Sequence, residues 1–397
     1  MSSPRACPFR KPHSRGKAPC AHSAACRGFT MIELLVGAAI ALLGLVAMAE
    51  AFLSFDLQRR VSGGGMDAQT AAGTALFRIE REAQEAGLGI SDARFTGCAV
   101  AFNAGQAAQP LMAVHIVQGS GGAPDSLVLV AGDGHAAPTQ LVAGLTAGGE
   151  LALATTLGMA ADDIVLLQES GKACSLVRIG SVQSAQRASR VALDGSALNA
   201  SADTIPAGGY TAAALAVDLG RLQTITYSVT DAGLMRRADA PGQTGVDMPI
   251  ASDIVSLKAQ YGFDTRSGAR GDLRVDRWSA AMMDADGDGI VGGAGDLQRI
   301  GAIRLAIVAR SNARTQRGSC NATGGASASS STVATTTTTA TTTSAGPGNT
   351  PQWQAADANG KLGAQGISLT HLPDWQCYRY RVYDTVIALR NPLWGLP

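Results

Sequence analysis

The sequence has few of the residues and patterns on which enzymes build catalytic sites. Beyond residue 28 its histidines are His115, His135 and His371, and none stands in an H-E-x-x-H pair. The chain also lacks the G-x-S-x-G turn of serine hydrolases and the G-x-x-x-x-G-K-[ST] loop that binds nucleotide phosphates. Each histidine is therefore interpreted as a loop or packing residue, and the sequence predicts a protein that is not an enzyme.

Acidic residues are absent from the first 28 residues, which contain six lysines and arginines. Positive charge on one side of an apolar run marks the cytoplasmic side of a membrane, so the remainder of the chain is predicted to be exported. Without this segment 26 basic residues stand against 31 acidic ones, a net charge of about −5. This mildly acidic balance gives no indication of a nucleic-acid surface.

One long apolar run follows the basic segment, and Leu34–Ala49 within it carries no charge. As a helix, residues 29–55 would be about 40 Å long, which is enough to cross a hydrocarbon core of about 30 Å. Glu33 lies near the start of this helix, and a carboxylate is costly in lipid unless it finds a partner. The stretch predicts a membrane-spanning helix that carries a functional acid.

The residues from Gly28 to Leu34, GFTMIEL, resemble the processing site of type IV prepilins and type II secretion pseudopilins. In that family a prepilin peptidase cuts after the glycine and methylates the new terminal amine, here that of Phe29. The resemblance implies that residues 1–28 are a leader and that Glu33 neutralises the terminal amine of a neighbouring subunit during assembly. An ordinary signal anchor is the alternative. A secretory signal fits less well, because the apparent cut precedes the apolar run.

Cysteines are scarce, and the absence of a Cys-x-x-Cys pair argues against a zinc or redox site. Cys7, Cys20 and Cys26 lie in the leader. The exported part retains Cys98, Cys174, Cys320 and Cys377. Four cysteines in an exported domain predict two disulfides, for which three connectivities exist. Pairing of neighbours along the chain, Cys98 with Cys174 and Cys320 with Cys377, is preferred.

The rest of the chain divides into a helical part and a β-rich part. Residues 56–90 are predicted to continue the helix after a break at 62–65, because each glycine there costs a helix roughly 1 kcal/mol. Leu76, Ile79, Ala83 and Ala86 would form its apolar face. Residues 91–397 are predicted to form the exported domain, and the Ser/Thr-rich stretch 321–350 is interpreted as a disordered loop.

Short runs of β-forming residues between turn residues predict a helix packed on antiparallel sheet, an α+β, pilin-like fold. The predicted strands are Ser126–Ala131, Asp163–Gln168, Ser175–Val182, Arg190–Leu193, Leu222–Val229, Ile254–Tyr261, Ile303–Ala309 and Tyr378–Leu389.

Two C-terminal stretches, Tyr378–Trp394 and Arg304–Arg310, resemble strands of PilW-type minor pilins. The resemblance implies an inner-membrane precursor that joins other minor pilins and the major pilin at the cell surface. It implies roles in pilus assembly, twitching motility and cell adhesion, and admits a tip adhesin as a further partner. A J-type pseudopilin of type II secretion is the nearest alternative. A membrane-anchored surface enzyme or ligand-binding module is the alternative from another class.

One acidic stretch has the spacing of a calcium loop. Asp284, Asp286 and Asp288 alternate along it, Gly289 stands at the sixth position, and the carbonyl of Ile290 would follow as a ligand. Asp296 lies one residue beyond the position at which an EF-hand carries its bidentate glutamate. The two interpretations are a calcium site of a different loop type and a bare Asp-Gly turn.

Overall fold

The computed structural model describes most of the chain beyond residue 29. The described residues are 30–90, 92–103, 107–134, 137–146, 150–185, 188–193, 198, 205–267, 273–312, 314, 329–335, 338–345 and 350–391. Gly28, Phe29, His135 and Cys320 lie outside them. The chain divides into two compact units, Met1–Asp56 and Leu57–Pro397.

A single long helix, α1, runs from Met31 to Glu85. It continues through residues 62–65, so the predicted break is wrong. A Cβ atom added at Gly63 or Gly65 would have no other atom within 4 Å, so close packing does not require glycine at either position. Because extending a helix is far easier than starting one, well-anchored turns on the C-terminal side can offset the cost of these glycines. The helix ends before Gly87, which has a φ of +83° and donates its N–H to the Val130 carbonyl at 2.8 Å.

The remaining elements are strands and short helical turns. The first ten strands are β1 Ala99–Val100, β2 Gln109–Pro110, β3 Val114–Val117, β4 Ser126–Ala131, β5 Thr139–Gln140, β6 Leu151–Leu153, β7 Ile164–Gln168, β8 Ser175–Ala185, β9 Ala188–Leu193 and β10 Leu215–Asp218. The others are β11 Gln223–Thr230, β12 Gly233–Asp239, β13 Met248–Ala251, β14 Ile254–Phe263, β15 Arg277–Ser279, β16 Ile300–Arg310, β17 Ser329–Thr335, β18 Thr338–Ala345, β19 Gln352–Ala356, β20 Leu362–Gly366 and β21 Tyr380–Ala388. The short helices are α2, Ala294–Leu297, and two 3₁₀ turns, Ser120–Gly122 and Trp375–Cys377.

Every strand pairing is antiparallel among the described residues, which confirms the predicted α+β class. Three larger sheets have the strand orders β5-β10-β7-β8-β9-β6, β13-β12-β11-β4-β3 and β15-β14-β16-β21-β18-β17. Two hairpins, β1-β2 and β19-β20, complete the set. All eight strands predicted from the sequence are present, with ends that differ by a few residues.

The largest core lies where the C-terminal part of α1 packs on two of these sheets. Its helical members recur every three or four residues and are Ala68, Ala72, Ala75, Leu76, Ile79, Ala83 and Ala86. They meet alternate residues of the five-stranded sheet, such as Leu127 and Leu129, and of the C-terminal sheet, such as Leu305 and Ile307. The apolar face predicted for this helix is therefore confirmed.

The Ser/Thr-rich stretch is partly ordered, which corrects its interpretation as a disordered loop. Residues 329–335 and 338–345 form the hairpin β17–β18, and β18 pairs with β21 from Thr341 opposite Asp384 to Ala345 opposite Tyr380. β-Branched threonine favours extended backbone. One edge of β21 pairs with β16, and without β18 the N–H and C=O groups on its other edge would lack strand partners. Composition alone does not reveal that such an edge lies nearby.

A polar contact that the sequence did not predict fixes the helix on the five-stranded sheet. Glu82 of α1 accepts the Tyr227 hydroxyl at 2.7 Å and the Arg236 Nε–H at 3.1 Å. The Glu82 and Arg236 side chains are only 15% and 13% exposed. Burial, and next the bond to Glu82, raise the pKa of Tyr227, so this phenol stays protonated and donates. A charge this deeply placed depends on its partners, because water cannot replace them.

We predict that Glu82→Ala lowers the free energy of unfolding of the unit from Leu57 onward by about 3 kcal/mol, because it leaves a buried arginine without its counter-charge. The matched control is Glu85→Ala, which removes an acid one turn later from a pair with Arg81 that is 60% and 73% exposed. That change should cost no more than about 0.5 kcal/mol. Urea unfolding measures both, and equal losses would contradict the anchoring role.

Candidate assembly and cation sites

The N-terminal end of α1 has a reciprocal cap built from Thr30 and Glu33. The Thr30 hydroxyl oxygen accepts the Glu33 N–H at 3.3 Å, and Glu33 Oε2 accepts the Thr30 N–H and hydroxyl, each at 3.1 Å. This is the capping-box pattern, which satisfies two backbone donors that a helix start otherwise leaves open. The carboxylate of Glu33 is thereby directed back over the first turn.

The N-terminal part of α1 is apolar and exposed along its whole length. Every residue from Met31 to Phe55 is exposed, including large side chains such as Leu43 at 72% and Phe52 at 74%. By length and composition Met31–Asp56 could cross a membrane. An apolar surface of this size is a site for lipid or for another protein.

The acidic stretch forms a loop held by its own carboxylates. Asp284 accepts the N–H groups of Gly287 and Gly289 at 2.7 and 3.0 Å, and Asp286 accepts that of Asp288 at 3.1 Å. Gly289 has a φ of +86°, a conformation that glycine adopts without strain.

The buried residue at the centre of this loop is Asp296, in the first turn of α2. Its two oxygens accept four backbone N–H groups at 2.5–3.2 Å, those of Ala285, Asp286, Gly292 and Gly293. A carboxylate has about four acceptor positions. All of those of Asp296 are thus engaged, so this side chain closes the two ends of the loop on each other.

The structure brings together three of the five residues predicted as metal ligands. Ligand atoms of Asp284, Asp286 and Asp296 all lie within 4.8 Å of one another. Asp288 is exposed and accepts the Ile290 N–H at 2.7 Å. The Ile290 carbonyl accepts the Gly293 N–H at 3.4 Å. Asp284 and Asp286 therefore combine convergence with spare acceptor positions, so these two residues could serve as cation ligands, while Asp296 shapes the loop.

The acidic loop also contacts the segment that follows α1. The Gln298 side chain donates to the Ala93 carbonyl at 2.8 Å. A Cβ added at Gly97 would lie 2.8 Å from Ala294, so the backbone here passes too close for any side chain. The loop thus braces residues 93–97 against the start of α2.

A disulfide joins Cys98 and Cys174, with 5.9 Å between their Cα atoms, as predicted. It ties the segment after α1 to the start of β8, within a core that includes Phe95 and Leu111. Cys377 is also disulfide-bonded. Its predicted partner, Cys320, lies outside the described residues, so that pairing stays a prediction.

The two described histidines, His115 and His371, are both exposed. Desolvation lowers the pKa of His115 on β3. His371 Nε2 lies 3.4 Å from the Val255 carbonyl oxygen. Neither observation places a nucleophile beside a histidine.

Comparison with protein families identifies two parts of the chain. The family described as Type IV Pilus-assembly protein W matches residues 224–391, and the Prokaryotic N-terminal methylation motif matches residues 23–49. Together the two matches are those of a prepilin-like minor pilin of the PilW type. No curated protein and no solved structure matches it.

These matches connect the site geometry to pilus assembly. The methylation motif covers the Thr30–Glu33 cap, and the second match covers strands β12 to β21 with the acidic loop. The minor pilin is a membrane-anchored, single-pass protein whose C-terminal domain is exported in the pilus, and it takes part in type IV pilus assembly. The family is a structural one.

We predict that Asp296→Ala destabilises the unit from Leu57 onward by at least about 3 kcal/mol even in the presence of a chelator, because four buried or half-buried N–H groups lose their acceptor. Asp288→Ala, in the same loop, removes an exposed side chain with one N–H partner and should cost under about 1 kcal/mol. Thermal unfolding in chelator compares the two. A mild effect of Asp296→Ala would show that the loop does not depend on this carboxylate.

Proposed function

We propose that this minor pilin is a non-enzymatic subunit of the complex that primes a type IV pilus or caps its tip. The observation that carries the proposal is the contrast within α1, whose residues 31–55 are apolar and exposed while residues 68–86 present their apolar face to the sheets. A helix of this kind supplies lipid or subunit contacts with one part and holds a folded domain with the other.

Processing would prepare the helix for assembly. In this proposal the prepilin peptidase cuts the inner-membrane precursor after Gly28, and the terminal amine of Phe29 is methylated. Glu33 then meets the Phe29 amine of a neighbouring pilin, where opposite charges in an apolar fibre core would stabilise each other. The Thr30–Glu33 cap supports this role, because it keeps the carboxylate at the helix start until a neighbour arrives. The partners would be other minor pilins, the major pilin and a tip adhesin.

We predict that mass spectrometry finds an N-methylated Phe29 terminus in cells with the prepilin peptidase and an intact leader in cells without it. Glu33→Val should be processed normally but should no longer co-purify with other pilins, since the counter-charge for the neighbouring amine is lost. The matched control is Glu50→Val, which removes a second acid from the same helix. It should retain co-purification.

Two outcomes would redirect the proposal. An uncut protein in peptidase-positive cells would favour a surface-anchored enzyme or ligand-binding module. A deletion that abolishes protein secretion and leaves twitching motility intact would assign the chain to type II secretion as a J-type pseudopilin.

We further propose that the acidic loop binds calcium. Asp284 and Asp286 would supply the converging carboxylates, Asp288 would complete the acidic side, and water would fill the remaining positions of a shell of six to eight oxygens. A cation here would neutralise like charges that the loop otherwise holds close together. It would thereby stabilise the contact of this loop with residues 93–97.

We predict that calcium raises the melting temperature of the unit from Leu57 onward, because a ligand that binds only the folded state adds about 2.7 kcal/mol at a hundredfold excess over Kd. Asp284→Asn and Asp286→Asn should abolish the shift, since asparagine keeps an N–H acceptor but loses the charge. Asp231→Asn, in the exposed turn after β11, should retain it. No shift in the wild-type unit, or an equal shift in all variants, would remove the metal from the proposal.

A further inference from the structure

The face of the five-stranded sheet turned away from α1 forms the floor of a cleft. On β4, Leu127 and Leu129 are buried against the helix, so the intervening Val128 and the following Val130 belong to the other face. Strand register continues this face as two rows, which are His115–Val128–Thr226–Arg237 and Val130–Thr224–Asp239. All seven side chains line one cavity of about 490 Å³. That volume lies in the range of about 300–1,000 Å³ typical of small-molecule sites.

Two walls rise from this floor and join at one end. The first wall comes from the β1–β2 hairpin, with Phe102 and Pro110, and the second comes from the turn after β12, with Pro241. The Gly242 N–H donates to the Phe102 carbonyl at 3.0 Å and to the Asn103 Oδ1 at 2.8 Å, which ties the walls together. Arg178 also donates to the Pro241 carbonyl. These hydrogen bonds hold the two walls of the cleft in place.

The charges of the cleft are balanced within it. Arg237 Nε lies 3.1 Å from Asp239 Oδ2, and Asp239 Oδ1 accepts the Gly245 N–H at 2.8 Å. Desolvation lowers the pKa of His115, which disfavours a positive charge on its imidazole. A charged ligand would have to compete with the Arg237–Asp239 pair, whereas a neutral ligand would not.

The remaining lining alternates between hydroxyl or amide groups and apolar surface. The polar side chains of this set are Thr224, Thr226, Thr244, Asn103 and Gln109. The apolar ones include Phe102, Pro110, Val128 and Val130. A sugar ring presents hydroxyl groups at its edge and C–H groups on its faces. It therefore matches hydrogen-bonding groups interleaved with flat apolar surface.

We propose that this cleft binds a neutral saccharide of one or two rings. The site lies in the exported domain, so a ligand outside the cytoplasm reaches it without crossing the membrane that α1 spans. The assignment goes beyond the assembly role and does not depend on it. The floor hydroxyls of Thr224 and Thr226 bond to sugar hydroxyls, and Phe102 packs against a ring face.

The test uses the full processed chain in a detergent without a sugar head group, because a maltoside would compete. Glucose, N-acetylglucosamine, lactose and maltose are the probes, and saturation-transfer NMR and calorimetry are the measurements. We expect at least one probe to bind at millimolar concentration. Thr226→Val, which keeps the shape and removes the hydroxyl, should weaken binding about tenfold for the loss of one hydrogen bond.

Two controls separate a lost contact from a lost fold. Ser228→Ala removes a hydroxyl from the same strand outside the cleft and should leave affinity unchanged. An unchanged melting temperature for Thr226→Val shows that the fold is intact, and Thr224→Val should then reproduce its effect. Absence of binding by all four sugars, equal affinity of Thr226→Val, or binding of an extended peptide in their place would overturn the proposal.

Discussion

Burial of one face of α1 between two antiparallel sheets is the constraint on which the exported unit depends. Five of the seven helical residues in this core are alanines, namely Ala68, Ala72, Ala75, Ala83 and Ala86. Small side chains let the strands approach the helix backbone, while the fully buried Ile79 supplies volume to the core. An apolar stripe alone leaves a helix free to rotate by a few degrees. The bonds from Tyr227 and Arg236 to Glu82 remove that freedom.

Side chains also satisfy backbone groups on the outer face of the C-terminal sheet, where strand β19 has a neighbouring strand on one edge only. The Gln260 amide donates to the Ala356 carbonyl at 2.8 Å and accepts its N–H at 2.9 Å. Arg304 donates to the Gln354 carbonyl at 2.8 Å. These contacts satisfy backbone groups of Gln354 and Ala356 on the second edge of β19, which makes that part of the edge less open to pairing with another chain.

Sequence reasoning recovered the parts of the fold that are encoded locally. The apolar face around Ile79 and strands such as β4 and β16 have the expected period, and the spacing of Asp284 and Asp286 marked the acidic loop. It missed β12, whose arginines look like solvent-facing residues, because the partner of Arg236 lies 154 residues away. It also missed the role of Asp296, which depends on where α2 begins. Two predictions from local composition were wrong. Glycines 63–65 did not end the helix, because the turns that follow are anchored on the sheets, and the low-complexity stretch contains β17 and β18, because β18 pairs with β21.

The composition of β18 affects how well its pairing with β21 tolerates insertions and deletions. Strand β18 consists of threonine, serine and alanine alone, so a shift by two residues along β21 exchanges one small side chain for another. Several registers of β18 on β21 therefore pair similar residues, and inserting or deleting two such residues still allows the same backbone hydrogen bonds. The hairpin is thus a place where a change in length has little structural cost.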